Sequence, residues 1–315
     1  MINVNTQQAG EVKPLRLDNL VKNYGSLQAV KGISFELGKG EILGLIGPDG
    51  AGKTSILRTV VSLLNPSSGK VFFMGRDVHE DTVYVWAHIG YMPQRFSLYQ
   101  DLTVAQNLHF FADLFQVPAA EQERQITELY GFSRLGPFKD RLAGQLSGGM
   151  KQKLALSCML VHKPEVIILD EPTFGVDPVS RSEFWDILHN LSSDGVSILV
   201  STAYMDEAVQ CDRVGLMFEG RMLSLDKPQV ITDRFEGPLY NIAVRHPHIA
   251  LEKLNAAGFD LNARLFGEGI HFTDRERLGI PSLTEKLREA HVEFEHVIEI
   301  APTLEDVFLN LMKES

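Results

Sequence analysis

The sequence predicts an α/β protein in which a parallel sheet forms the larger, N-terminal part and a small α/β domain follows. Short apolar runs at 41–47, 166–169 and 196–200 lack polar alternation, which is typical of strands buried on both faces of a parallel sheet. Apolar residues at helical spacing fill 54–64, directly after the first run. Strands separated by helices favour this fold class, and 315 residues are enough for two domains.

The composition excludes several classes of protein. Hydrophobic residues make up 44% and charged residues 23%, and the net charge is −11, which argues against a nucleic-acid partner. The chain has no uncharged apolar run long enough for a membrane helix, and residues 1–14 form a polar tail without a signal core. Two cysteines without ligand spacing argue against disulfide scaffolds and zinc sites, so we expect a cytoplasmic protein.

The pattern changes in the middle and at the end of the chain. Helical patterns without strands near 101–115 and 121–130 predict a helical insertion between Gln94 and Ser147. After residue 235, strands are expected at 238–245, 259–266, 269–272 and 293–300, with helices at 248–257 and 282–290. This β-α-β-β-α-β order is ferredoxin-like, and Thr303 to Asp306 predict the cap of a last helix. From Glu236 onward, 14 acidic and 8 basic residues give a net charge of −6.

The segment from Gly47 to Thr54 matches G-x-x-x-x-G-K-[ST] between a predicted strand and a predicted helix, the context that a phosphate-binding loop requires. Glycines let backbone amides curl around phosphate oxygens at a helix N-terminus. Lys53 would neutralise the β- and γ-phosphates, and Thr54 would ligate magnesium. The alternative is an ordinary glycine-rich turn. The predicted nucleotide-binding residues of this segment are Gly47, Asp49, Gly50, Ala51, Gly52, Lys53, Thr54 and Ser55.

Two adjacent carboxylates, Asp170 and Glu171, follow the buried run at 166–169. Ligands of open α/β sheets bind at the carboxyl ends of the strands, so we expect Asp170 to hold magnesium. Glu171 is the candidate for polarising the water that attacks a phosphoryl group. An ordinary acidic turn is the alternative for this pair taken alone.

A second anion-receptive segment, with Ser147, Gly148 and Gly149, opens the next predicted helix. One nucleotide cannot easily use two such sites of one subunit, so this segment is expected to face a nucleotide held by another subunit. A simple N-cap is the alternative.

With these motifs in this order, residues 15–235 resemble an ABC-type ATPase, a P-loop NTPase that serves as the nucleotide-binding subunit of a transporter. The resemblance implies a RecA-like core, an antiparallel β subdomain and a helical subdomain at about 95–160, dimerising head to tail with ATP between the subunits. It places Tyr24 against adenine, Gln94 at magnesium and the attacking water, and Asp177 across the dimer. A core aromatic, a loop residue and a turn or N-cap are the respective alternatives.

One position departs from the family pattern. The family usually has a histidine after Ser-Thr at the end of the following strand, where it contacts the γ-phosphate, but Ala203 stands there. No histidine occurs between His189 and His246, so a shift of register cannot supply one. Because a methyl group neither donates a hydrogen bond nor carries charge, hydrolysis at this site is expected to be slow but not absent. The alternative is a family member that tolerates alanine there.

Segments 90–103, 142–153 and 302–308 resemble ATPases of ABC-2-type exporters, especially the first half of efflux ATPases with two fused nucleotide-binding domains. This implies ATP and Mg²⁺ as cofactors, permease subunits as partners, and a peripheral position on the inner face of the cytoplasmic membrane. It also favours a heterodimer with a second ATPase chain over a homodimer. The competing hypotheses are a soluble ABC ATPase acting on ribosomes or DNA, and a binding-only regulatory subunit.

The remaining candidate residues have simpler explanations. His246 and His248 could suggest a metal, but a solvated turn is expected because no third ligand of the right type is near. His291 and His296 are interpreted as surface or packing residues, and Cys158 as a small apolar side chain of the helix after Ser147. Residues 98–115 could be simple core, although the family resemblance places the permease beside them. Residues 236–315 are expected to form the accessory domain.

Overall fold

The computed structural model describes residues 12–95, 98–258 and 263–314. The chain divides into two compact units, Met1–Pro228 and Gln229–Ser315. The sequence predicts a domain boundary between residues 235 and 236, a few residues after the division between Pro228 and Gln229. The predicted boundary stays a prediction.

Within its described residues the first unit contains ten strands and six α-helices, and a seventh α-helix lies at the division. The strands are β1 (Leu15–Tyr24), β2 (Leu27–Leu37), β3 (Ile42–Ile46), β4 (Ser68–Phe73), β5 (Arg76–Asp77), β6 (Ile89–Met92), β7 (Val166–Asp170), β8 (Ser197–Thr202), β9 (Arg213–Phe218) and β10 (Arg221–Asp226). The helices are α1 (Lys53–Val60), α2 (Thr82–His88), α3 (Val104–Leu114), α4 (Ala119–Ser133), α5 (Gly148–Leu160), α6 (Pro178–Ser193) and α7 (Pro228–Asp233).

The predicted parallel sheet is confirmed as the centre of this unit. Its strand order is β10-β9-β3-β8-β7-β6, and every neighbouring pair except β10 with β9 is parallel. Every residue of β3 and β7 is buried, which explains why their sequences lack polar alternation. Because parallel strands end at one edge, the residues that follow β3, β7 and β8 come together there.

Two further layers belong to the first unit. An antiparallel sheet has the strand order β2-β1-β4-β5. Helices α3, α4 and α5 lie between β6 and β7 in the chain, where the helical insertion was expected. Thr103 and Gln106 form a capping box at the start of α3, which explains why this helix begins later than its apolar pattern suggests.

The described residues of the second unit form a four-stranded antiparallel sheet with two helices between its strands and one after them. Its elements are β11 (Leu239–Ala243), α8 (Pro247–Ala256), β12 (Ala263–Phe266), β13 (Gly269–Thr273), α9 (Gly279–Glu289), β14 (His296–Ile300) and α10 (Leu304–Glu314). The strand order is β12-β13-β11-β14. The expected sequence of strands and helices is therefore present, although the first residues of the strand expected at 259–266 lie outside the described residues.

The last helix carries a buried polar cluster around Asp306. Thr303 and Asp306 cap each other, with Thr303 N donating to Asp306 Oδ2 at 2.9 Å and Asp306 N donating to Thr303 Oγ1 at 3.3 Å. His271 Nδ1 and Arg264 Nη2 both lie 2.8 Å from Asp306 Oδ1. Burial raises the pKa of Asp306, but the hydrogen bonds from His271 and Thr303 outweigh it and lower the pKa from 3.8 to about 2.

We expect Asp306→Asn to lower the free energy of unfolding of the second unit by about 2 kcal/mol at pH 6. Because the folded-state pKa is depressed, this stability is present above about pH 4 and is lost as pH falls towards 2, so the difference narrows with acid. Hydrogen exchange of the β13 amides in the full chain measures this loss of stability as a function of pH. Asp233→Asn is the control, because Asp233 is an exposed aspartate. An equal pH dependence in wild type and Asp306→Asn would contradict the prediction.

Three other expectations concern single residues and segments. No helix in the described part of the chain has the length and hydropathy to cross a bilayer. Cys158 and Cys211 are both buried thiols, and burial raises the pKa of each. His246 is the N-cap of α8, and the described residues contain no group of three or more histidine, cysteine or acidic side chains suited to a metal.

Candidate nucleotide-binding site

The loop between β3 and α1 has the backbone conformation that its glycines suggested. Gly50 and Gly52 have φ values of 81° and 99°, which side chains other than glycine rarely adopt. A Cβ atom on Gly52 would lie 2.3 Å from the carbonyl oxygen of Ala29, and one on Gly47 would lie 2.2 Å from that of Met217. The loop therefore turns tightly against neighbouring backbone, which leaves its amides at the N-terminus of α1.

Lys53, the first residue of α1, folds back over this loop. Its side chain is only 4% exposed, and Nζ donates to the carbonyl oxygens of Gly47 at 2.7 Å and Pro48 at 3.1 Å. Nζ also lies 3.4 Å from Glu171 Oε1. The ammonium group is thus fixed between the loop and the carboxylate that follows β7.

Asp170 and Glu171 point to different partners at the end of β7. Thr54 Oγ1 donates to Asp170 Oδ1 at 3.0 Å, so a hydroxyl and a carboxylate lie side by side. Gln94 Nε2 donates to Glu171 Oε2 at 2.8 Å, while Lys53 approaches the other oxygen. The structure therefore brings Lys53, Thr54, Gln94, Asp170 and Glu171 together at the carboxyl edge of the sheet.

Ser201 joins the two carboxylates, and our sequence analysis did not identify it as a site residue. Its Oγ donates to Asp170 Oδ1 at 2.7 Å and accepts from the backbone N–H of Glu171 at 3.1 Å. Glu171 has a φ of 48°, which is strained for a residue other than glycine. The signal that could have found Ser201 is its place in β8, because Asp170 and Ser201 are paired in the parallel register.

The nucleobase candidate lies at the end of β1. Tyr24 is 45% exposed, so it is not a core aromatic, and its hydroxyl lies 3.3 Å from Ser55 Oγ. Lys22 Nζ lies 5.3 Å from the centre of the ring. Within the loop, Asp49 is exposed and Ala51 is buried.

The remaining predicted nucleotide contacts make their hydrogen bonds within their own segments. Ser147 is the N-cap of α5, its Oγ accepting from Met150 N at 3.3 Å. Asp177 is the N-cap of α6, accepting from Ser180 N at 2.9 Å, and this backbone hydrogen bond lowers the pKa of its carboxyl. A Cβ on Gly149 would lie 2.4 Å from the Ser180 side chain, so these two helix starts are close neighbours. Gly148, which begins α5, is exposed.

Ala203 lies beside the phosphate loop. It directly follows β8, and the Gly47 N–H donates to the carbonyl oxygen of Thr202, the preceding residue, at 3.3 Å. Its methyl group is exposed. Ala203 thus follows a residue that is bonded to the start of the phosphate loop, and its own side chain has no hydrogen-bonding group.

A polar cluster that our sequence analysis missed connects the segments after Glu171 and Ala203. Thr173 Oγ1 donates to the buried Glu207 at 2.6 Å. The Arg181 guanidinium lies 4.3 Å from the centre of the Tyr204 ring and 3.6 Å from Glu207 Oε1. These contacts hold the two loops that border the site.

The fold and this arrangement of loop, lysine and paired carboxylates define a nucleotide-binding protein of the P-loop class. The sequence profile described as "ABC transporter" matches residues 30–174. The Nod factor export ATP-binding protein I of Burkholderia orbicola (strain AU 1054) is 34% identical over 308 residues, covering 95% of this chain and 97% of that protein. The chain therefore belongs to the family of ABC transporter ATP-binding proteins and carries an ABC ATPase domain.

Two further comparisons agree with this membership. The probable multidrug ABC transporter ATP-binding protein YbhF of Escherichia coli (strain K12) is 38% identical over 305 residues, covering 95% of this chain and 52% of that protein. The chain thus spans about half the length of this relative. The structure of cbiO1 from Clostridium perfringens, part of the ABC transporter complex cbiONQ, matches with a TM-score of 0.67 and 27% identity, covering 78% of this chain and 96% of that one.

Proposed function

We propose that this chain binds and hydrolyses ATP with Mg²⁺ and thereby powers an ABC-2-type exporter. The observation that carries the proposal is Glu171, which is held at its two carboxylate oxygens by Lys53 and Gln94 beside the phosphate loop. A carboxylate in that position can accept a proton from an attacking water, which is the role that phosphoryl transfer to water requires.

The described residues fit both cofactors. Positive φ values at Gly50 and Gly52 shape a loop whose amides suit phosphate oxygens, and Lys53 adds a positive charge. Thr54 and Asp170 offer adjacent oxygen ligands, the kind that magnesium prefers, and Gln94 is a third candidate. When bound, Mg²⁺ would neutralise charge on the phosphate oxygens. Tyr24 is proposed to stack on the base.

We also propose that two nucleotide-binding domains form the working unit. Ser147, Gly149 and Asp177 lie on neighbouring helix starts. Among the described residues, the side chains of Ser147 and Asp177 bond only to the starts of their own helices, which leaves this surface available for a nucleotide held by another subunit. Permease subunits are the other proposed partners, which would place the protein on the cytoplasmic face of the membrane. No nucleic-acid partner is proposed, because the net charge is −11.

The two sites of the dimer are proposed to be unequal. Ala203 supplies neither a hydrogen bond nor a charge beside the phosphate loop, so the site on this chain would turn ATP over slowly. A second ATPase chain that keeps a histidine there would provide the faster site. The second unit, with its strand order β12-β13-β11-β14, is proposed as a ferredoxin-like accessory domain over about 236–315.

Replacing Ala203 with histidine tests the proposed cause of slow turnover. We expect Ala203→His to raise the rate of phosphate release from ATP by about 10-fold, because one added hydrogen bond to a charged group is worth roughly that factor. Phosphate release by the purified full chain at saturating ATP and Mg²⁺ measures it.

The control for this variant is Val209→His, which adds the same side chain at an exposed position in the segment that follows. Equal rates for wild type and Ala203→His would contradict the proposed cause of slow turnover. Equal rates for wild type, Ala203→His and Glu171→Gln would instead favour a binding-only regulatory subunit. Full exporter rates from a homodimer of the unaltered chain would exclude the heterodimer.

A further inference from the structure

The second unit contains a cavity of about 840 Å³, within the range of small-molecule sites. Residues of β11, β13 and the β12–β13 hairpin line it, together with the start of α8. Among them are His248, the second histidine of the His-Pro-His motif, and Phe266. The ATPase mechanism proposed above does not use this cavity.

The first polar residue of interest in the lining of the cavity is His271. The residue is only 4% exposed, and its Nδ1 lies 2.8 Å from Asp306 Oδ1. The Asp306 carboxylate occupies the Nδ1 side of the ring, which leaves Nε2 as the ring nitrogen whose lone pair can accept a hydrogen bond from a ligand. The Phe266 ring stacks on His271 at 3.9 Å, which fixes the imidazole plane.

The second polar residue of interest is Asn241, which is paired directly with His271 across strands β11 and β13. Its Oδ1 is buried and has no hydrogen-bond partner among the described residues. Such an orphaned acceptor is unusual, because buried polar atoms normally have partners. Directly paired cross-strand side chains are neighbours on one face of a sheet, so Asn241 and His271 lie side by side in the lining of the cavity.

Charge in the cavity favours a cation. Arg245 Nε lies 3.3 Å from Glu295 Oε1, so that pair largely compensates itself. The hairpin residue Glu268 adds a further carboxylate to the lining. The Asn241 oxygen and the Glu268 carboxylate would repel an anion, and Phe266 and Leu265 offer apolar surface for a hydrocarbon body.

We propose that this cavity binds a small organic molecule carrying a primary ammonium group. The ammonium donates to Asn241 Oδ1 and His271 Nε2, Glu268 supplies its counter-charge, and the organic body lies against Phe266. The site is thus a ligand site of the accessory unit, separate in its residues from those proposed to bind ATP.

The proposal is tested by isothermal titration of the full chain with three amines, butylamine, 2-phenylethylamine and 1,4-diaminobutane, and with their matched alcohols. At least one amine is expected to bind with a Kd of about 1 mM or lower, and its alcohol at least about 10-fold more weakly, because charge-assisted hydrogen bonds are lost. Asn241→Ala and Glu268→Gln are each expected to weaken the bound amine about 5- to 10-fold.

Glu289→Gln is the control, since it removes the same charge from an exposed position of α9. Glu268 is exposed on a hairpin, so Glu268→Gln keeps the test open if Asn241→Ala proves unstable. Three results would overturn the proposal: no amine binding below about 10 mM, equal binding of amine and alcohol, or an equal loss in Glu289→Gln. ATP binding measured in parallel is expected to be unchanged, so a failure of the ATPase proposal remains distinguishable.

Discussion

Replacing Glu171 with glutamine is expected to slow phosphate release from ATP by about 100- to 10,000-fold, the range of a lost general base. Glutamine preserves the shape of the side chain but cannot accept a proton from water. In the wild type, Lys53 and Gln94 approach the two carboxylate oxygens of Glu171. In the variant, one of these oxygens is replaced by an amide group. Because neither the loop nor Thr54 and Asp170 is altered, ATP binding is expected to persist. Single-turnover phosphate release and equilibrium ATP binding by the full chain measure the two effects.

The matched control for this variant is Glu219→Gln. Glu219 is an exposed glutamate with a φ of 45°, so the substitution makes the same chemical change at a similar backbone conformation. Its rate should equal that of the wild type. If Glu171→Gln kept more than half of the wild-type rate, Glu171 would not be the base.

Replacing Lys53 with alanine is expected to weaken ATP binding by about 100-fold, because a buried ammonium group and its charge-assisted hydrogen bonds are lost. The same change leaves Glu171 without its counter-ion in a buried place, and breaking such pairs costs about 3–5 kcal/mol of stability. We therefore expect a lower melting temperature as well. Equilibrium binding of radiolabelled ATP in Mg²⁺ and thermal unfolding of the full chain measure these effects.

Two additional variants separate the loss of charge from the loss of packing. Lys53→Met keeps the aliphatic stem and should bind ATP as weakly as Lys53→Ala. Lys39→Ala removes a lysine from an exposed position and should bind like the wild type. Unchanged ATP binding in both Lys53 variants would remove the basis for assigning residues 47–54 to the phosphates.

Local sequence signals predicted those parts of the site that short segments determine by themselves. The loop at 47–54 and the acids at 170 and 171 were identifiable because each lies beside its own buried strand. The β-α-β-β-α-β order of the second unit followed in the same way from alternating patterns. In such segments neighbouring residues set both the conformation and the exposure, so spacing alone carries the information.

Contacts between distant segments could not be predicted in this way. Gln94 and Glu171 bond across 77 positions of the chain, and nothing near either residue encodes the other. Ser201 looks like any small residue ending a strand until the β7–β8 register places it beside Asp170. Likewise, only the pairing of β11 with β13 shows that Asn241 and His271 are neighbours. Register is decided by the packing of whole sheets, which single segments do not specify.

The backbone conformation at Glu171 is unfavourable for folding, and the same residue is the proposed catalytic base. A left-handed φ of 48° costs a residue with a Cβ roughly 1–2 kcal/mol, and glycine or asparagine would occupy the position with less strain. Sequences optimised only for robustness would therefore abandon glutamate at this position. With Glu171 as the proposed base, the molecule would give up some thermal stability to orient one carboxylate, and stabilising substitutions at this position would lower activity.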